Sequence, residues 1–252
     1  MVKHIGAIDV GNSRVKWRIG LGETHVAESV SALAVQWQAA AKANKLPLHW
    51  MGSNVRGSAI ALEIDDVMQD IFGQAVRWQQ SVRTACGVVN AYDIPEQLGV
   101  DRWAAMLAAH AASPHQACTV IDAGTAITVD TLDQQGVHRG GIIMPGISTM
   151  LASLDKGTGL ISSMDTLDDM QSVLQSTQKS TQSAVLAGVL FAVQGGIQAA
   201  IKHQAQQING NIEDMNIWLT GGDAQKLKLQ GMRPQYAPDL VLQGLQLMGE
   251  CA

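Results

Sequence analysis

Two stretches of this sequence carry nearly the same phrase. In 7-AIDVGNSRVKWRIG-20 an apolar strand runs into Asp9, turns at Gly11-Asn12 and continues as an alternating strand. In 120-VIDAGTAITVDTL-132 the order returns, with Asp122 and Gly124 at the matching places. Asp122 stands 113 positions after Asp9. A phrase repeated at that distance marks an internal duplication. It limits the chain to folds that can be built twice around the same strand–acid–turn–strand beginning.

The flanking patterns agree with two copies. In the first half, 4–11, 14–20 and 23–29 read as strands joined by tight turns, followed by helical 31–44, strand 46–55, helix 57–72 and strand 75–81. In the second, 117–124, 126–133 and 137–145 read as strands. A long helix near 180–208, a strand at 215–222 and a C-terminal helix near 239–248 follow. Each half is therefore β-β-β and then alternating helices and strands. The class is α/β, with an N-terminal lobe at 1–115 and a C-terminal lobe at 116–252, divided near 113-SPHQ-116. Two such lobes are expected to flank a central cleft, where small-molecule sites tend to form.

Composition narrows the function classes. Charged residues are 15% of the chain, against roughly 25% in ordinary soluble proteins, which suggests surface buried in a subunit interface. A net charge of −5 with no Lys/Arg cluster argues against a phosphate-backbone binder, so no nucleic-acid partner is expected. Cys86, Cys118 and Cys251 are odd in number and lack Cys-x-x-Cys spacing, so neither a disulfide framework nor a zinc site is expected, and a reducing cytoplasm is the default. Residues 180–201 are uncharged, but they include Gln182, Gln194 and Gln198 and read as a buried helix rather than a membrane span. The first strand begins within four residues, which leaves no room for a signal peptide.

The repeated turns suit phosphate binding. Gly11 and Gly124 let the backbone approach a ligand and expose successive N–H groups. Asn12, Ser13, Thr125 and Lys16 add side-chain donors. Asp9 and Asp122 repel a phosphate directly and are better used on a cation that bridges to it. No Walker-type loop and no Gly-x-Gly-x-x-Gly after a strand occurs. A third feature is the helix expected over 100–112, which opens with Asp101-Arg102. An acid there favours the positive helix end on its own account. An adjacent arginine is disfavoured at that end, which suggests that it is held for an anion. Asp101 can then accept the proton of a substrate hydroxyl while Arg102 holds a carboxylate or a moving phosphoryl group.

In order, Asp9-Val-Gly-Asn-Ser, Gly99-Val-Asp-Arg102, Asp122-Ala-Gly-Thr-Ala126 and Gly140-Gly-Ile-Ile-Met-Pro-Gly146 resemble the motifs of the type III pantothenate kinases, also called the Bvg accessory factor family. The resemblance implies a duplicated actin-like, ribonuclease-H-like ATPase fold. It also implies ATP-dependent phosphorylation of pantothenate, the first step of coenzyme A synthesis, in a cytoplasmic homodimer. By that resemblance Asp101 is the general base, and Tyr92, Gly99, Val100, Asp101 and Arg102 bind pantothenate. Asp9, Val10, Gly11, Asn12, Ser13, Arg14, Val15 and Lys16 form the first ATP loop, and Thr125 contacts ATP from the second. The cofactors implied are ATP with Mg²⁺ and a monovalent cation, K⁺ or NH₄⁺, with Asp122 as its ligand. Thr181 resembles the threonine that reaches the neighbouring subunit's substrate, although Ser180 stands where the family usually has Asn. Gly188, Ala192, Gly196 and Ala200 form a four-residue repeat suited to close helix approach in a dimer. The alternative is a non-catalytic accessory protein that keeps the fold for binding or regulation.

Overall fold

A computed structural model of the chain describes residues 4–158, 173–208 and 210–251. The residues group into two compact units. One holds Met1–Gln116, Gln134–His138 and Asp239–Ala252, and the other Ala117–Asp133 and Arg139–Pro238. The division near 115/116 thus parts the two sheets, while the C-terminal residues and a short segment at 134–138 belong with the first unit.

The first unit is built on strands β1 (Ile5–Val10), β2 (Val15–Ile19), β3 (His25–Ala27), β4 (His49–Asn54) and β5 (Val76–Trp78), in the order β3-β2-β1-β4-β5. β1 runs antiparallel to β2 and parallel to β4. Helices α1 (Val30–Lys42) and α2 (Ser58–Phe72) supply one core. α1 begins where the Ser29 side chain accepts a hydrogen bond from the Ala32 N–H, and α2 ends at Gly73 in the left-handed conformation. Here Trp17, Trp37 and Trp50 are buried and half-buried Phe72 packs against them; the Trp37 and Trp50 rings lie 5.2 Å apart and tilted. Such contacts add to what the buried area alone contributes. A short hairpin, β6 (Thr84–Ala85) and β7 (Val88–Val89), precedes α3 (Val100–Ala112).

The second unit repeats the topology. β8 (Cys118–Ala123), β9 (Ala126–Leu132), β10 (His138–Pro145), β11 (Asn216–Thr220) and β12 (Gln235–Tyr236) lie in the order β10-β9-β8-β11-β12. Again the first strand is antiparallel to the second and parallel to the fourth. The expected duplication is therefore present in strand order and strand direction. α4 (Ile147–Thr158), which the periodicity left unassigned, follows β10, and the long helix α5 (Thr181–Gln207) packs on the sheet. By length and composition α5 passes for a membrane span. Its buried residues, Leu186, Leu190, Val193, Ile197 and Ile201, instead fill the core against Ile121, Ile127, Val129 and Ile217. Buried Gln204 donates to the Val129 and Gly140 carbonyls and accepts from Thr131 Oγ1.

The four-residue repeat on α5 does not stay on one face. Gly188 and Ala192 are exposed, Gly196 is half-buried beside Met144, and Ala200 is buried. A strict spacing of four drifts around a helix with about 3.6 residues per turn. The outward face is instead Ala184, Gly188, Phe191, Ala192, Gly195 and Ala199.

The C-terminal helix α6 (Leu240–Cys251) packs on α3, β1 and β4 of the first unit. Buried Arg18 donates to Gln246 Oε1 through Nε and Nη2 and lies 3.6 Å from Asp239. Gln246 Nε2 in turn donates to the Ile5 and Gly20 carbonyls. This return places Cys251 against the β6–β7 turn, where it forms a disulfide with Cys86. The expectation of unpaired thiols fails for these two cysteines. They are 165 residues apart, and no local spacing signals a pairing made by a returning helix. Cys118 stays free, its thiol pushed up to about 12 by burial.

α6 and α3 meet at Gly244, where a Cβ would lie 1.8 Å from the Ala104 carbonyl oxygen. Gly244→Ala must push α6 off α3. We expect a loss of about 1–3 kcal/mol, the usual cost of overpacking, measured by urea denaturation.

Candidate active site

In the first unit, the residue types picked out from the sequence converge on the end of β1. Asp9 is the fifth residue of that strand and is half-buried. Gly11 N–H donates to the Arg14 carbonyl and closes the turn, leaving Asn12, Ser13 and Arg14 exposed. Lys16 stands opposite Asp9 on β2. Val10 and Val15 differ from the rest of the loop. Their side chains lie in the tryptophan core, which leaves their backbone alone for a ligand.

Asp101 lies in the first turn of α3, half-buried, and its Oδ1 accepts the Arg102 backbone N–H at 2.8 Å. Gly99 makes room for it, because a Cβ there would lie 2.6 Å from that same oxygen. Asp101 and Asp9 come close enough to interact electrostatically. Burial pushes the Asp9 carboxyl up to about 6; the Ser53 hydrogen bond opposes this, the Asp101 charge adds to it, and Lys16 opposes it. Two carboxylates sharing one neighbourhood is an arrangement that favours bound cations and acid–base work.

Arg102 is buried, and its Nη1 donates to the Tyr92 hydroxyl at 3.0 Å. Its guanidinium carbon lies 5.8 Å from the Tyr92 ring centre. Tyr92 is held in turn: its N–H donates to Asn90 Oδ1, and its ring stacks on buried His138 at 5.9 Å. Asn90 Nδ2 donates to the Pro95 carbonyl and Ser81 Oγ to the Leu98 carbonyl, fixing the loop into α3. Tyr92, Gly99, Val100, Asp101 and Arg102 are thereby brought together, with the Val100 side chain turned into the protein.

In the second unit, Asp122 takes the same rung of β8 that Asp9 takes on β1. Gly124 N–H donates to the Ala126 carbonyl to form the matching turn, with Thr125 exposed. The Thr125 carbonyl accepts from Gly146 N–H and from Thr149 Oγ1, so this turn is braced by the start of α4. The loop after β11 closes on the acid. Gly221, at φ +98°, has no room for a Cβ, which would lie 2.5 Å from Asp122 Oδ1. Thr181 is exposed at the first position of α5, behind a Ser180–Ser183 capping box.

Two residues of the first unit's site escape any motif. Ser53 bonds Asp9 from β4, and His138 backs Tyr92 from a segment 46 positions further along. For Ser53 a signal existed in principle: aligning the strand before it with 216–220 places a hydroxyl residue at the same point of each copy.

A sequence model of a family described as "Type III pantothenate kinase" matches residues 7–203. A protein of that description from Azoarcus sp. is 35% identical over 96% of this chain and 89% of its own. Another, from Alkalilimnicola ehrlichii, is 34% identical over 94% of each. Among solved structures, a ROK hexokinase from Thermus thermophilus covers 97% of this chain and 97% of its own at 12% identity, with a TM-score of 0.52. At that identity the likeness concerns the fold, which is the duplicated actin-like fold.

The raised Asp9 carboxyl carries a cost in stability. The folded state holds the proton more tightly than the unfolded chain between pH 3.8 and about 6. Stability from this group therefore falls as pH rises through that window and stays low above it. Asp9→Asn, near-isosteric and neutral, should melt several degrees above the wild type at pH 7.5 without ligands. The gap should close below about pH 4, as followed by differential scanning calorimetry.

Proposed function

The chain belongs to the type III pantothenate kinase family, and we propose that it transfers the γ-phosphoryl group of ATP to the primary hydroxyl of pantothenate, the first step of coenzyme A synthesis. The observation that carries this reading is Asp101: a half-buried carboxylate at a helix start, next to Asp9 and followed by an arginine aimed at Tyr92.

Asp101 accepts the proton of the attacking hydroxyl as the oxygen bonds to phosphorus and ADP departs. The Arg102 guanidinium, its direction set by the Tyr92 hydroxyl, holds the substrate's carboxylate. The Gly11 turn, with Asn12, Ser13 and Lys16, takes phosphate oxygens of ATP, and Thr125 does so from the second turn. Phosphoryl transfer needs mainly positioning and charge neutralisation, and these groups supply both. A non-catalytic accessory role would not need the Asp101 base, and that carboxylate is retained.

Among the described residues, no three His, Cys, Asp or Glu side chains gather into a metal set. Mg²⁺ does not require one, since it is usually held by one or two carboxylates and the substrate's own phosphates. Asp9, with its carboxyl beside the Gly11 turn, fits that role. Bound there, Mg²⁺ neutralises the charge on the phosphates. Asp122, closely covered by Gly221, is the ligand of K⁺ or NH₄⁺.

The protein acts as a homodimer in the cytoplasm, where ATP is available. The exposed face of α5 supports the dimer: it is made of small residues around Phe191, which is 64% exposed. An aromatic ring standing free on a small-residue face is a common feature of subunit contacts. Thr181, exposed at the start of the same helix, reaches the neighbouring subunit's pantothenate.

Asp101→Asn should lower turnover about 10²–10⁴-fold with no loss of melting temperature, in a coupled assay with ATP and pantothenate. Wild-type turnover in that variant would remove the base assignment. Exchanging K⁺ or NH₄⁺ for Na⁺ at constant ionic strength should lower the rate, and Asp122→Asn should abolish the difference between the salts.

A further inference from the structure

We propose that Ser53 is the positioning residue of the Asp9 carboxylate, holding it in the orientation that Mg²⁺-nucleotide binding requires. This rests on reading Asp9 as the carboxylate that faces the Mg²⁺.

Ser53 is wholly buried in β4, within the strand sequence His-Trp-Met-Gly-Ser-Asn. A buried hydroxyl is costly unless it is bonded. Ser53 Oγ donates to Asp9 Oδ1 at 2.5 Å. The two residues are Cα partners in the parallel β1–β4 ladder, so both side chains leave the same face and the bond needs no long reach. A carboxylate can accept about four hydrogens. One donor from a rigid neighbouring strand therefore fixes its rotamer and leaves most of its capacity for a hydrated cation. Partners of this kind, one step behind a metal ligand, commonly orient it.

The second unit keeps the same pairing. Thr220 is the Cα partner of Asp122 in the parallel β8–β11 ladder, and it too is buried. The surrounding sequences, Trp50-Met-Gly-Ser53 and Ile217-Trp-Leu-Thr220, share little else. A hydroxyl residue standing opposite the acid on the same rung of both copies points to a role tied to the acid rather than to local packing.

The test uses the full chain and nucleotide binding as well as turnover. Ser53→Thr and Ser53→Val form an isosteric pair that differs only in the hydroxyl, so any steric cost cancels between them; Ser53→Ala accompanies them. ADP binding is followed by calorimetry across a Mg²⁺ series and in EDTA. The expected result is that the Val and Ala variants need about 10-fold or more Mg²⁺ for half-maximal ADP binding and for half-maximal turnover. Binding in EDTA and the KM for pantothenate should stay within about twofold of wild type, and Ser53→Thr should follow wild type. Equal Mg²⁺ dependence in the Thr and Val variants would overturn the proposal, as would a pantothenate KM that moves in step with the Mg²⁺ requirement. Asp9→Asn separates the two levels. If it raises the Mg²⁺ requirement while Ser53→Val does not, the role of Ser53 fails and that of Asp9 stands. If Asp9→Asn leaves the requirement unchanged, the reading of Asp9 fails and takes the proposal with it.

Discussion

The structure turns on a carboxylate placed one residue before the end of a central strand. Asp9 sits between two paired strands, opposite Lys16 on one side and Ser53 on the other. A charge in that position is costly to bury, and its carboxyl is pushed up to about 6 in consequence. The surrounding construction follows from keeping it there. β2 returns antiparallel with a lysine on the same rung, β4 runs parallel with a hydroxyl, and α3 begins with a second acid near enough to be felt. The opposite face of the sheet carries the tryptophan core. Proteins commonly keep destabilising groups of this kind where they bind or react.

The C-terminal helix is the second determinant. α3 presents Asp101 and Arg102, and α6 packs along it with a glycine against the Ala104 backbone. Gln246 and Arg18 tie α6 to β1 and β2 through buried hydrogen bonds, and a disulfide joins its end to the β6–β7 hairpin. That hairpin leads into the Asn90–Leu98 loop and so to Tyr92. Helix α6 thus braces both the hairpin before the Asn90–Leu98 loop and the helix after it.

Duplication explains why the second unit repeats the first in outline while differing around its acid. The strand order is the same, the acid lies on the same rung, and a hydroxyl residue faces it from the parallel strand. The differences lie in what surrounds the acid. In place of a lysine, Asp122 has Thr128 across the antiparallel pair, and a glycine in the left-handed region closes over it. The two acids therefore share a rung and a facing hydroxyl residue but not the neighbour on the antiparallel side.

The amino-acid order by itself determined the strand–acid–turn repeat, the helix over 100–112 and the motifs around Asp9, Asp101 and Asp122, because these depend on local periodicity and short spacings. Even the ends of α3 and α5 were legible, since capping and apolar patterning act within a few residues. Tertiary structure alone decided which strand lies beside β1, and hence that Ser53 meets Asp9; it also decided that His138 backs Tyr92 and that Cys251 finds Cys86. The four-residue ridge on α5 misled because a strict spacing of four drifts around the helix, and only packing decides which of its residues are covered. Contacts between residues tens or hundreds of positions apart are set by sheet order and by where a helix returns, and no local rule in the chain encodes either.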